Sequence, residues 1–357
     1  MKRTAFLFLL VICAASLAMG QTRFVKYRGN PVIGHHMTWP FGATLYLTHP
    51  EVIFDGSLYH MWYRAYANTS VIAYAQSTDG LAWVIHPENP AVDLGPPGSI
   101  DDDVLIRAKV VRHSTGYLMY YSSVHGQRSV ICRALSEDGM IWTKDTVSNP
   151  VFVPGAPGEW DDAGVAPGTV LIQGDTLKMW YSGRQANQPE RTGYATSTDG
   201  VTWTRYPGNP VIEAGSPGSW DDQWQAPPEV LFDGTEYKMW YCGNVSLGYA
   251  TSADGLSWTK YHNNPILRPE ASGWEQGVIY CSAIVESDGV YRYWYSGGSQ
   301  IGFAVDSPVP FVAQHPTRVD FLPRGVGQVP DTLDVTVMNY GRQSAQVTDV
   351  TLQSADF

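Results

Sequence analysis

Apolar residues come in short runs along this chain, and nearly every run stops at a turn. Glu229-Val230-Leu231-Phe232 ends at Asp233-Gly234 and is followed by the apolar stretch 237–242. Leu247-Gly248-Tyr249-Ala250-Thr251 ends at Asp254-Gly255 and is followed by Trp258-Thr259-Lys260-Tyr261. Asp-Gly between extended runs predicts a hairpin, because glycine supplies the positive φ of a tight turn. Such a unit predicts four short strands.

The unit recurs at intervals of roughly 60 residues. Its second strand reads His60-Met61-Trp62-Tyr63, Leu118-Met119-Tyr120-Tyr121, Lys178-Met179-Trp180-Tyr181, Lys238-Met239-Trp240-Tyr241 and Arg292-Tyr293-Trp294-Tyr295. A Ser-x-Asp-Gly-x-x-Trp segment follows the first four, at Asp79-Gly80, Asp138-Gly139, Asp199-Gly200 and Asp254-Gly255. Asn-Pro then follows at Asn89, Asn149, Asn209 and Asn264, and an unpaired copy, Asn30-Pro31, stands near the start. Four strands per unit with recurring Trp predict an all-β protein, a five-bladed β-propeller over 21–312. The fifth unit lacks a fourth strand, and the Asn30-Pro31 segment is expected to supply it and close the ring, which removes exposed edges. The repeated Trp, Tyr and Met residues read as packing between blades.

Composition narrows the partners. Only 16% of residues are charged, 13% are aromatic, and the formal charge is −11. So acidic a surface argues against nucleic acid. Lys2-Arg3, the apolar run 5–17 and Ala18-Met19-Gly20 read as an export signal over 1–20, so a secreted protein is expected. No later run is long enough for a transmembrane segment. Cys132, Cys242 and Cys281 remain after the signal; Cys242 and Cys281 pair or stay free thiols. No metal or cofactor is expected, since no phosphate loop, dinucleotide glycine pattern or zinc-type spacing occurs. The segment 313–357 alternates strand and turn like the start of an immunoglobulin-like β-sandwich, shorter than such a module needs.

The Asp-Gly-x-Tyr-x-Met-Trp-Tyr and Gly-Tyr-Ala-Thr-Ser-x-Asp-Gly-x-x-Trp patterns resemble the five-bladed propellers of glycoside hydrolase families 43, 32, 68 and 130. The resemblance implies a carbohydrate ligand and, as the first reading, hydrolysis or phosphorolysis of a glycosidic bond. A non-catalytic propeller that binds glycan or protein is the alternative. The families' first-blade Asp-Pro is His49-Pro50 here, and a Glu-Gly-Pro acid is replaced by Ala226-Pro227-Pro228.

Aligning the units places Glu51, Lys109, Thr169, Glu229 and Ala283 at one position of the innermost strands. His49 and Arg107 stand two residues earlier, on the same face of the strand. Glycoside hydrolysis needs two flanking carboxyl groups. Glu229 is therefore the expected proton donor, Glu51 the base or nucleophile, and Asp162 a third carboxylate. The competing expectation is a structural ion pair of Glu51 with Lys109. Trp39, Trp224 and Tyr280 are expected to stack on sugar faces. His49, Arg64, Arg107, Lys109 and Arg184 are expected to bind hydroxyl or phosphate groups.

Overall fold

A computed structural model describes residues 3–12, 24–35, 37, 39, 46–126, 128–223, 225–307, 311–315, 319–321, 336–341 and 345–354. Every regular element among them is a strand. The first blade runs Tyr46–Phe54, Tyr59–Tyr66, Ser70–Ser77 and Val84–Ile85. The second runs Val104–His113, Gly116–His125, Arg128–Ser136 and Thr143–Lys144, the third Gly164–Gln173, Thr176–Arg184, Arg191–Ser197 and Thr204–Arg205. The fourth runs Gln225–Phe232, Tyr237–Gly243, Ser246–Ser252 and Thr259–Lys260. The fifth combines Tyr280–Ser287, Val290–Gly297 and Gln300–Asp306 with Val25–Lys26 from the start of the chain. All four strands in each blade pair antiparallel with their neighbours.

The repeated residues stitch the blades together. The indole N–H of Trp62 donates to the carbonyl of Gly139 in the next blade, and Trp180 does the same to Gly255, both at 2.8 Å. Tyr120 reaches Gly200 with its hydroxyl at 3.0 Å. Trp294 of the fifth blade donates to Gly80 of the first at 2.8 Å, which closes the ring. The fifth blade lacks the Ser-x-Asp-Gly-x-x-Trp segment after its third strand, and the Trp240 indole is correspondingly buried without a hydrogen-bond partner. Gly80 is doubly constrained: its φ is +75°, and a Cβ would lie 2.7 Å from the Trp294 ring.

Each Asn-Pro asparagine acts as a short piece of sheet. Asn89 accepts from the Tyr74 amide and donates to its carbonyl, at 2.7 and 2.9 Å. Asn149, Asn209 and Asn264 repeat the pair on Arg133, Tyr194 and Tyr249. Asn30 makes it to Phe303 at 2.8 and 2.9 Å, so the unpaired copy does complete the last blade. Val52, Val110, Val170, Val230 and Ile284 are buried between blades, which is why that position is uniformly apolar.

Beyond the ring, Val312–His315 pairs with Thr336–Asn339, and Tyr340 packs on Tyr27. Arg3–Ile12 pairs with Val319–Phe321 and Gln346–Ser354. The expected cleavage site at 18–20 lies outside the described residues, as does much of the expected sandwich module. Cys242 is a free buried thiol 3.2 Å from the Ile279 carbonyl, not half of a disulfide.

Candidate functional site

All five innermost strands break their ladder to the second strand at the same level. The shifts fall between Thr48 and Glu51, Leu105 and Ala108, Pro167 and Val170, Ala226 and Glu229, and Tyr280 and Ala283. Such a bulge re-aims side chains, here around the central axis. Just past it, Glu51, Lys109, Glu229 and Ala283 pair with Trp62, Tyr120, Trp240 and Trp294. The positions aligned from sequence are thus equivalent in space.

The axis is filled by an ion triad. The Lys109 ammonium donates to Glu51 Oε2 at 2.7 Å and to Glu229 Oε2 at 2.5 Å. All three side chains are buried. With one nitrogen between them, the two carboxylate oxygens are at most 5.2 Å apart. Glu51 also accepts from the Val110 amide at 3.3 Å, tying the first blade to the second. Thr169 ties the third to the fourth, accepting from Val230 at 2.7 Å and donating to the Pro228 carbonyl at 3.2 Å. Burial pushes Glu51 up to about 7 against the pull of Lys109. Burial likewise raises Glu229. Burial opposes the charge on Lys109, but Glu229 and Glu51 outweigh it and raise its pKa.

Beside the triad lies a small cavity of about 10 Å³ lined by His49, Pro50, Arg107, Ala108, Lys109, Pro167 and Pro227. That is room for about one water molecule. His49 has the unusual φ of +53° for a non-glycine residue. Its amide donates to Ser296 Oγ at 2.8 Å, Nδ1 is 2.9 Å from Thr48 Oγ1, and its ring stacks with Tyr280 at 6.4 Å. Burial, then Arg107, Arg64 and Lys109, hold its pKa well below the ordinary value. Arg64 donates to Ser70 Oγ at 2.7 Å and lies 5.9 Å from the Tyr66 ring centre.

The other expected site residues that are described make contacts of their own. Arg184 is exposed at the end of a second strand. Trp39 packs edge-on against Tyr63, 6.0 Å between ring centres, in the first blade's core. Trp224 lies outside the described residues. Asp162 accepts from the Gly158 amide at 2.8 Å, and Asp102 and Asp222 hold Gly98 and Gly218 in the same way. Its contact is that of a repeated loop cap.

The residue before each of these aspartates belongs to a relay that the sequence reading missed. Tyr121, Tyr181, Tyr241 and Tyr295 donate to Asp101, Asp161, Asp221 and Glu275, at 2.9, 3.1, 3.4 and 2.7 Å. Each of these buried acids also pairs with a fourth-strand cation, Lys144, Arg205, Lys260 or Lys26. The signal was present, since those cations recur at one place in the repeat. The first blade carries Ile85 there, and the Tyr63 hydroxyl is buried with no partner.

No family model matches the chain. Two uncharacterized proteins of Mycobacterium tuberculosis are similar to it: MT1551 of strain CDC 1551 and Rv1502 of strain H37Rv. Each is 29% identical over 198 residues, covering 50% of this chain and 64% of the relative. The match thus spans less than two thirds of those relatives' length. Among solved structures, the β-1,2-mannobiose phosphorylase of Listeria innocua superposes with a TM-score of 0.64 at 13% identity, over 80% of this chain and 96% of its own. A structure from the GH130 family of mannoside phosphorylases, which contains hydrolases targeting β-1,2 mannosidic linkages in Candida mannan, gives 0.61 at 18%, over 84% and 97%. A thermostable family-43 glycoside hydrolase gives 0.56 at 18%, over 82% and 98%. The chain therefore has the β-propeller fold that these glycoside hydrolases and mannoside phosphorylases share.

Proposed function

We propose that this protein is a carbohydrate-active propeller that holds an oligo- or polysaccharide at the axial mouth, and that Glu51 and Glu229 serve there as structural carboxylates. The propeller fold shared with carbohydrate enzymes supports the ligand class. The observation that carries the second half is the position of Lys109. A hydrolytic pair must flank the scissile bond with space for a sugar oxygen or a water. Here an ammonium occupies the space between the two carboxylates. Tyr280, half-buried and stacked with His49, is the aromatic ring proposed to meet the sugar. The test is a glycan-fragment screen that reads binding and turnover together, with and without phosphate. Saturable binding without turnover is the expected result. No binding to any arabino-, xylo-, fructo- or mannoside would sink the reading.

A second reading, hydrolysis by Glu229 and Glu51, is favoured by one observation. Burial raises both carboxyl groups, and Glu51, at about 7, lies in the range of a general base. It requires that substrate displace Lys109, and turnover abolished by Glu229→Gln would establish it. The export signal read at the N-terminus makes the protein a secreted one in this proposal. Mass spectrometry of the exported form should find Gln21 at its N-terminus.

A further inference from the structure

Away from the axis, a pocket of about 200 Å³ lies between the first and second blades. Its walls include Tyr74, His86 and Glu88 from the first blade and Met140, Ile141 and Trp142 from the second. Tyr74 is buried, whereas Glu88 is exposed and Ile141 is 71% exposed, so the pocket opens to solvent. A cavity of roughly 150 Å³ is enough for a benzene ring. This one therefore has room for a single six-membered ring, and it shares no lining residue with the axial cavity.

The repeat shows what is particular to this junction. Tyr27, His86, Asp145, Tyr206 and Tyr261 are equivalent, since each donates its amide to the third strand of its blade. At two of these places the chain supplies its own partner: Tyr340 packs on Tyr27 at 5.7 Å, and Arg133 pairs with Asp145. Tyr206 and Tyr261 set their rings edge-on to Tyr194 and Tyr249 at 6.4 Å, and the smaller His86 ring does the same to Tyr74 at 5.8 Å. On the facing wall, Ala82, Ile141, Thr202 and Ser257 are equivalent, each donating its amide to the turn aspartate. Of these four, Ile141 alone is large and apolar. An exposed apolar side chain where the other blades carry small or polar ones is a departure that blade packing does not require.

The polar groups complement that wall. The Glu88 amide donates to His86 Nδ1 at 3.3 Å, so Nε2 carries the ring proton, and it has no hydrogen-bond partner among the described residues. The Glu88 carboxylate likewise has no hydrogen-bond or ion-pair partner among them. An apolar wall with one donor and one charged acceptor matches a pyranose, which presents a C–H face and a rim of hydroxyls. Glu88 and the chain's charge of −11 disfavour an anionic sugar.

We infer that this pocket is a second saccharide site: it takes one neutral pyranose unit, with the C–H face on Ile141 and Trp142 and hydroxyls on His86 Nε2 and Glu88. The inference rests on the proposed glycan binding for its ligand class. The experiment titrates the methyl pyranosides of mannose, glucose, galactose and xylose into protein with isotope-labelled Met and Ile methyl groups. The Met140 and Ile141 methyl signals should shift saturably with at least one of them. Glu88→Gln should weaken that binding about tenfold, the loss expected for a hydrogen bond to a charged group. His86→Tyr installs the residue of the third and fourth blades, so it should abolish the Met140 shift with the melting temperature unchanged. Ile141→Thr installs the third blade's residue and should weaken binding severalfold. Met140 and Ile141 signals that stay still while an oligosaccharide binds elsewhere overturn the inference and leave the proposed function standing. Undiminished Met140 shifts in both His86→Tyr and Ile141→Thr overturn the assignment of the walls. Shifts with a peptide copied from 336–341 and with no sugar overturn the ligand class. Failure of every saccharide to bind anywhere removes both readings.

Discussion

Replacing Lys109 with methionine would remove the one ammonium that two buried carboxylates share. Methionine keeps the chain length and the packing while removing the charge. Breaking a buried ion pair by deleting one partner costs about 3–5 kcal/mol, because the remaining charge stays desolvated. For a domain of this order each kcal/mol shifts the midpoint by about 2–4 °C. The unfolding temperature should therefore fall by at least about 6 °C. The penalty carries a pH signature. Glu51 is raised from 4.5 to about 7, so its favourable contribution is fully present below pH 4.5 and is lost as pH rises through 7. Removing Lys109 takes away the lowering influence on both carboxylates, so the variant binds protons more tightly and loses stability more steeply with pH. Scanning calorimetry at pH 5 and pH 8 should find the gap to the unmodified protein wider at pH 8. The triple variant Glu51→Gln, Lys109→Met, Glu229→Gln should recover most of the loss, since a wholly neutral axis leaves no charge buried alone. A Lys109→Met protein that melts within about 2 °C of the original at both pH values would refute the account of the axis.

Three further outcomes test the scaffold. Tyr121→Phe, Tyr181→Phe, Tyr241→Phe and Tyr295→Phe should each cost about 1–3 kcal/mol by denaturant titration, because a buried acid loses a donor; Tyr63→Phe should cost almost nothing, since its hydroxyl has no partner. Gly255→Ala should cost about 1–3 kcal/mol in the same assay, because its φ is +76° and the new Cβ would lie 2.9 Å from the Trp180 ring. Asp162→Ala should lower stability by about 1 kcal/mol through the lost Gly158 contact and leave glycan affinity unchanged; a loss of affinity with stability intact would return Asp162 to the site.

The ring was legible in the sequence because its contacts repeat. Nearly every blade reuses one aromatic residue, a Gly and an Asn at matching places, so the period alone exposes the scaffold, and the stray Asn30-Pro31 announced the closure. The shared position of Glu51, Lys109 and Glu229 was legible for the same reason. Their union was not. Lys109 belongs to the second blade and Glu229 to the fourth, and only the closed ring brings them together across the axis. Alignment gives equivalent positions, not distances between them. The Asp162 assignment shows the converse: its loop recurs with Asp102 and Asp222, each accepting from a glycine amide in the same way, and a carboxylate considered in one unit alone does not reveal that shared contact. The Tyr63 hydroxyl was hidden because an unsatisfied group is defined by what surrounds it, and only Ile85, standing where other blades carry a cation, hinted at it.

The central claim is that sugar sits at the axial mouth above an intact ion triad. A crystal structure of the protein with the oligosaccharide that binds most tightly in the screen tests it most directly. The account expects sugar in contact with Tyr280, His49 or Arg107, with Lys109 still bonded to both Glu51 and Glu229. Sugar bound only away from the axis would contradict the site, and sugar lying between Glu51 and Glu229 with Lys109 displaced would contradict the structural role of the carboxylates.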